Sequence, residues 1–291
     1  MIKGIAASFV FLSLSLISGS AIDFLPSDPG RIYVLAKKGR HLPIGSVVES
    51  TSKMSMKEGD LVIEFAGEKM EGGMMMVMEE VRKVEFLEEG KCRLTVLKGK
   101  SKQKMFMDGE AAPMEEEDDA LVGKPVIVSK KDGKWTAKLE KGEPKGDEKE
   151  ELKDINDEFN NDSDLEAYGD VPRKVGDEWE ADGAKVMGVK GMVGKIKIKF
   201  VRVEKFQGTD CAVLDCRFKL TGVDDENEGF EMTLKGKAVI HRSLKDLEDI
   251  HADFKGEMEM NGFMDGGPDL EMEMNGHGAV TMDFVTKVTR P

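Results

Sequence analysis

Twenty methionines, four histidines and three cysteines are the residues of this 291-residue chain with ligand chemistry to offer. The methionines recur as Met-x-Met: Met54 and Met56, Met74 with Met76 and Met78, Met105 and Met107, Met258 and Met260, Met272 and Met274. Thioethers are soft donors suited to Cu(I), and an oxidising compartment is where methionine would take that task over from cysteine. On a strand, however, a spacing of two puts both members on the same face. An unbranched, polarisable side chain on such a face fills an irregular core, or lines a cavity that repacks around an apolar ligand. Core packing is the first reading, an apolar cavity the second and a copper site the third.

His241 and His251 lie ten residues apart, and His251 alternates with Asp253, so a hairpin would gather two imidazoles and a carboxylate, a set able to ligate zinc. Outward strand positions are also where solvated histidines belong, and that is the expectation for this pair. Asn160-x-Asp162-x-Asp164 opens like a calcium loop, but Leu165 stands where the turn glycine belongs and no glutamate closes it. The acidic clusters Glu115 to Asp119 and Asp224 to Glu228 read as solvated loops. No serine sits in a nucleophile elbow and no glycine-rich loop joins a strand to a helix, so no catalytic residue, cofactor or metal is assigned.

The elements that must position these side chains have period two, the pattern of half-buried antiparallel strands. Ile250, Ala252, Phe254, Met258 and Met260 alternate with His251, Asp253, Lys255, Glu257 and Glu259, and the same parity resumes at Met272, Met274, Val280, Met282 and Phe284. Asp265 to Pro268 reads as the hairpin turn between them. Further runs at Ile196–Phe200, Ala212–Leu220 and about 230–242 make residues 171–290 a meander of about six strands. Residues 31–139 carry a less regular string, with strands near 31–37, 45–56, 60–66, 74–88, 91–98, 124–130 and 134–139. Gly109 to Asp119 reads as a loose acidic loop.

Residues 140–170 change character, becoming an acidic linker in which Leu152, Ile155 and Phe159 fall at helical spacing. Asp147 followed by Glu150 resembles a capping box, so one short amphipathic helix is predicted. The fold class is therefore all-β, an antiparallel meander forming a curved sheet or half-barrel units, with one helix in the central linker. Cys211 and Cys216 lie five apart on one strand, too far to bridge each other, which leaves Cys92 with either one.

The segment Val171-Pro172-Arg173-Lys174-Val175-Gly176-Asp177-Glu178-Trp179 carries P-x-x-V-G-D-x-W. It resembles a motif of uncharacterised secreted β-rich proteins common in planctomycete-like bacteria, which also share an early Lys-Lys-Gly, here Lys37 to Gly39, and a Leu-x-Gly-Lys turn, here Leu121 to Lys124. The resemblance implies a compartment and a β-rich fold with a helical linker before the motif and a meander after it. It implies no activity. In physical terms Gly176-Asp177 makes a turn and Trp179 anchors the strand that follows, with ligand stacking as the sharper role for Trp179.

Lys3, the apolar run Ile5–Ile17 and the small residues Gly19, Ser20 and Ala21 form a secretory signal, with cleavage expected near Ala21. The run falls short of the ~20 residues that span a bilayer. Loss of residues 1–21 removes one positive charge and takes the formal net charge from −14 to −15. Such a surface repels phosphate backbones and anionic headgroups, which turns the search away from nucleic acid and membrane surfaces toward cationic or neutral envelope components and apolar ligands.

The sequence thus describes an exported, periplasmic or extracellular protein with a non-enzymatic binding or envelope-structural role. The alternative is a carrier whose ligand sits among Met258, Met260, Met272, Met274, Phe284 and Trp179. A Cu(I)-binding protein and a hydrolase come third.

Overall fold

The computed structural model describes residues 30–37, 42–65, 68–107, 110–111, 115–187, 191–223, 231–265 and 271–291. The signal segment 1–21 and most of the 265–268 turn lie outside the described residues.

Period-two alternation folds as it should, into strands whose apolar side is covered. Among the described residues these are β1 (Val47–Phe65), β2 (Glu68–Glu88), β3 (Lys91–Met107), β4 (Glu110–Ala111), β5 (Glu115–Asp118), β6 (Val126–Lys131) and β7 (Lys134–Leu139) in the first half. The second half holds β8 (Glu178–Asp182), β9 (Met192–Phe206), β10 (Thr209–Val223), β11 (Glu231–Ser243), β12 (Asp249–Asp265) and β13 (Glu271–Thr289). All belong to one antiparallel sheet in the order β7-β6-β3-β2-β1-β13-β12-β11-β10-β9-β8, with β4 and β5 also on β3. The pairing of β1 with β13, from Val47 opposite Thr289 to Glu64 opposite Glu273, makes the two halves continuous.

The linker supplies two short helices, α1 (Glu148–Asn160) and α2 (Ser163–Tyr168), and a third, α3 (Gly183–Met187), follows β8. Leu152, Ile155 and Phe159 of α1 are buried, as their spacing predicts. Asp147 is the N-cap residue but makes no side-chain cap bond, and α2 is an addition to the single helix expected. Because β7 and β8 are the two edges of the sheet, the chain between them must cross from edge to edge. Helices α1 and α2 lie on that crossing.

Helix α1 also seals an edge. Asn156 Oδ1 accepts from the Ala137 amide at 2.6 Å, while Asn160 accepts from the Trp135 amide at 2.9 Å and donates to the Trp135 carbonyl at 2.9 Å. Two side chains thereby imitate a neighbouring strand on backbone that would otherwise be a template for aggregation. Asn156→Ala combined with Asn160→Ala should cost about 1–2 kcal/mol and speed exchange of the Trp135 and Ala137 amides about tenfold, measured by hydrogen exchange.

Several local expectations are corrected. Residues 31–37 form no strand; Tyr33 alone bridges Arg173 through two backbone hydrogen bonds of 2.7 Å. The runs at 45–56 and 60–66 are one strand with an irregularity between Met56 and Gly59. The acidic 109–119 segment is not loose where described: β5 pairs with Lys100–Gln103, and Lys100 meets Glu116 at 3.1 Å and Asp118 at 3.3 Å. Opposite charges on facing strands order it. Cys92, Cys211 and Cys216 are all buried, and no disulfide joins them.

The methionines mostly fill the core. Met54, Met56, Met74, Met258, Met260, Met274 and Met282 are buried in one cluster with Phe200, Leu214 and Phe254. Their flexibility has a local use where glycines line the inner face. A Cβ on Gly59 would lie 2.8 Å from the Met56 sulfur and one on Gly278 2.7 Å from it, so the thioether occupies space that side chains there would need.

Candidate functional site

The buried face does not close into a solid core along its whole length. A cavity of about 580 Å³ lies between the sheet and the helices. Its sheet wall includes Leu94 of β3, Val84 of β2, Met282 and Phe284 of β13, Phe254 of β12 and Ile198 of β9. Leu94 and Ile198 sit on strands seven steps apart in the sheet order. In a flat sheet those strands would be ~34 Å apart, so the sheet curls around the cavity. Phe159 and Glu158 of α1, Asp164, Ala167 and Tyr168 of α2, and Val186 and Met187 of α3 form the cover.

Most of the wall is apolar, and Phe218 stacks on Phe254 with centroids 5.2 Å apart. A polar strip crosses it where Ser50 of β1 stands opposite Arg82 on β2 and Thr286 on β13, and Ser52 opposite Glu80. Thr286 is 3 % exposed and its hydroxyl has no hydrogen-bond partner among the described residues. A buried hydroxyl left unpaired in a cavity wall is a place for a ligand's polar atom or a water.

Two arginines fasten the cover to the wall. Arg82 reaches Glu158 of α1 at 2.7 Å and also pairs with Glu80. Burial pushes the Glu80 carboxyl up to about 7 against the pull of Arg82, and the neighbouring negative charges of Asp119 and Glu158 add to the rise. Arg242 of β11 is 1 % exposed. It donates to the Leu35 carbonyl at 2.6 Å, to Asp249 at 2.8 Å and to Asp164 of α2 at 2.8 Å, and its guanidinium lies 4.0 Å from the Tyr168 ring centroid. The Tyr168 hydroxyl donates to the other Asp249 oxygen at 2.8 Å. Burial opposes the charge on Arg242, and Asp164 and Asp249 overcome it, holding the group above its ordinary range. Burial raises Asp249.

Of the candidate ligand residues, Phe284 lines this cavity. Met258, Met260 and Met274 are buried in the core cluster and are not among its lining residues. Met272 lies on β13, with its side chain outside those described. Trp179 on β8 packs against the core, donates from Nε1 to the Ala167 carbonyl at 2.8 Å and lies under Arg173 at 4.5 Å, so it props α2 from outside the cavity. The calcium-like Asn160-x-Asp162-x-Asp164 run is spent on the β7 edge and on Arg242.

Glu80, Arg82, Arg242 and Asp249 were absent from the candidate residues, although three of them carry a legible signal. Glu80 and Arg82 continue the parity of Met74, Met76 and Met78, and Arg242 that of Leu234, Ala238 and Ile240. A charge in phase with an apolar stripe is a buried charge or a cavity group. The His241 and His251 pair also departs from expectation, since His241 is only 9 % exposed and its ring is stacked by Phe206 at 4.3 Å.

No protein-family model matches this chain, and no curated protein matches it. Among solved structures, a lipovitellin chain described under lipid–protein interactions is 10% identical with a TM-score of 0.39, over 86% of this chain and 26% of that one. This chain thus spans about a quarter of that protein's length. The outer membrane protein OprG from Pseudomonas aeruginosa is 7% identical with a TM-score of 0.19, over 86% and 98% of the two chains. A DUF1329 family protein from Desulfovibrio piger is 10% identical with a TM-score of 0.12, over 82% and 85%. Likeness at these scores says nothing of a ligand. Among the described residues no helix is long and apolar enough to cross a membrane.

Proposed function

We propose that this protein is an exported carrier that shelters an apolar or amphipathic small molecule beneath α1 and α2. The observation that carries the reading is the cavity of about 580 Å³, whose sheet wall is largely apolar around Phe254, Met282 and Phe284, with a polar strip at Ser50, Ser52 and Thr286 and charged groups such as Arg242 and Asp249 toward the cover. That volume falls within the range of about 300–1,000 Å³ typical of small-molecule sites. An apolar wall favours a hydrocarbon or ring system, and Ser50, Ser52 and Thr286 supply hydroxyls for a polar end. Lifting of the helical cover would widen the way in. The cover's two ion pairs, part-buried Arg82 to Glu158 and buried Arg242 to the half-exposed Asp164, contribute to the cost of lifting it.

Titration of the mature chain with a fluorescent fatty-acid or naphthylamine probe tests this. Saturable binding at one site is expected, with displacement by unlabelled amphiphiles. Ala252, 1 % exposed and in the wall between Ile240 and Phe284, is the place to fill the cavity. Ala252→Trp should weaken the probe at least tenfold, about 1.4 kcal/mol, with unfolding otherwise unchanged. Ala238→Leu, a smaller insertion in the same wall, keeps the test open if the tryptophan variant does not fold. Absence of saturable binding, or equal binding by a folded cavity-filled variant, would sink the proposal.

A further inference from the structure

On the sheet face opposite the cavity, His241 Nε2 lies 2.8 Å from Glu204 Oε1. Glu204 is 1 % exposed, and its other oxygen accepts from Arg202 Nε at 2.6 Å. A carboxylate committed to an arginine has no proton to share, so the hydrogen in the contact with His241 belongs to the imidazole. With its proton on Nε2, the neutral ring presents a lone pair at Nδ1. That Nδ1 faces Nδ1 of His251 at 3.4 Å. Phe206 packs on both rings, with centroids 4.3 Å from His241 and 4.8 Å from His251, and so fixes their orientation.

Two imidazole nitrogens held by one tetrahedral ion, each at ~2.0–2.1 Å, stand about 3.4 Å apart by geometry alone. We propose that the Nδ1 atoms of His241 and His251 form a binding site for a divalent transition ion such as Zn²⁺ or Ni²⁺, with Glu204 acting as a positioning residue through Nε2. The arrangement reproduces the carboxylate–histidine–metal relay in which the outer carboxylate selects the tautomer. His251 is partly exposed, so solvent has access and water completes the coordination. Among the described residues no group of three His, Cys, Asp or Glu is disposed around a common ion, so the site has two protein ligands and micromolar rather than nanomolar affinity. The site is independent of the cavity and of its proposed ligand.

Calorimetric titration of chelator-treated mature protein with NiCl₂, and separately ZnCl₂, should show one saturable site. His251→Ala should weaken it at least tenfold, and Glu204→Gln, which leaves both ligands in place, about tenfold. In ¹⁵N-resolved imidazole spectra Glu204→Gln should also shift the His241 proton away from Nε2, a change that simple loss of packing would not produce. His277→Ala, at an exposed position on β13, should bind as the parent does. His251, at the more exposed end of the pair, carries the test if a variant at buried His241 fails to fold. No saturable heat up to millimolar metal, or undiminished binding in His251→Ala, would overturn the site and leave a His251 to His241 hydrogen bond as the meaning of the 3.4 Å contact.

Discussion

Replacing Arg242 with methionine is expected to destabilise the protein by about 2–3 kcal/mol, because it removes the buried cation that Asp249 and the Leu35 carbonyl are bound to, while the half-exposed Asp164 falls back on water. Asp249 would keep the Tyr168 hydroxyl, Asp164 would lose its ion pair with Arg242, and the Leu35 carbonyl would lose the Arg242 donor. Burial raises the Asp249 carboxyl even with Arg242 beside it. Urea unfolding at pH 7 reads the loss directly.

A second variant separates the network from the packing. Arg242→Met combined with Asp249→Asn and Asp164→Asn removes the charges together, and most of the lost stability should return, since an intact buried pair adds little over an apolar replacement. Because Asp164 belongs to α2, hydrogen exchange in α2 should rise in the single variant and fall back in the triple one. A loss under about 1 kcal/mol in the single variant would mean that Arg242 does not hold the cover.

Glu80 supplies the second large effect, one of pH. Its carboxyl is held near 7 in the fold against an ordinary value of 4.5, with burial as the main cause. The folded state therefore binds the extra proton between those limits. Stability contributed by the protonated group is complete below about pH 4.5 and is lost as pH rises toward 7. The loss amounts to about 3 kcal/mol if the whole displacement is realised. Glu151, part-exposed and also pushed up to about 7 by burial, adds a smaller loss in the same direction.

Glu80→Gln should be more stable than the parent by about 2–3 kcal/mol at pH 8 and no more stable at pH 4.5. Paired unfolding curves at the two pH values check this. A parent whose advantage grew with pH would show Glu80 to be an ordinary paired carboxylate. The consequence for carriage is direct, because Glu80 borders both the cavity and the Arg82 to Glu158 fastening of α1. Ionisation above pH 7 adds charge to the cavity wall and competes with Glu158 for Arg82, so the cover should loosen on the alkaline side.

Period-two alternation sufficed to read the strands of the second half and to say which residues face inward, because a strand's side-chain direction depends only on parity. Helical spacing of Leu152, Ile155 and Phe159 sufficed for α1 in the same way. Parity also carried the buried charges, since Glu80, Arg82 and Arg242 fall in phase with apolar neighbours; the reading passed over them because an inward charge makes sense only once a cavity or a partner is known.

What parity cannot carry is a change of parity. The irregularity between β11 and β12 sets Arg242 opposite Asp249, bringing Asp249 inward although it shares its odd numbering with outward Asp253. The one between β9 and β10 turns Glu204 toward His241, although Ile196, Ile198 and Phe200 of the same numbering face the core. Both candidate sites depend on such a slip, and on contacts such as Leu35 with Arg242 that no local pattern links.

The sequence by itself determined a strand-built chain with an apolar inner face rich in methionine. A curved sheet is already the expectation from the sequence; only the tertiary structure decided where the open space lies, against Phe254, Met282 and Phe284 and not among Met258, Met260 and Met274. That placement depends on the pairing of β1 with β13, which joins the two halves into one sheet, and on α1 and α2 crossing between its edges, long-range arrangements that leave no periodic trace in the chain.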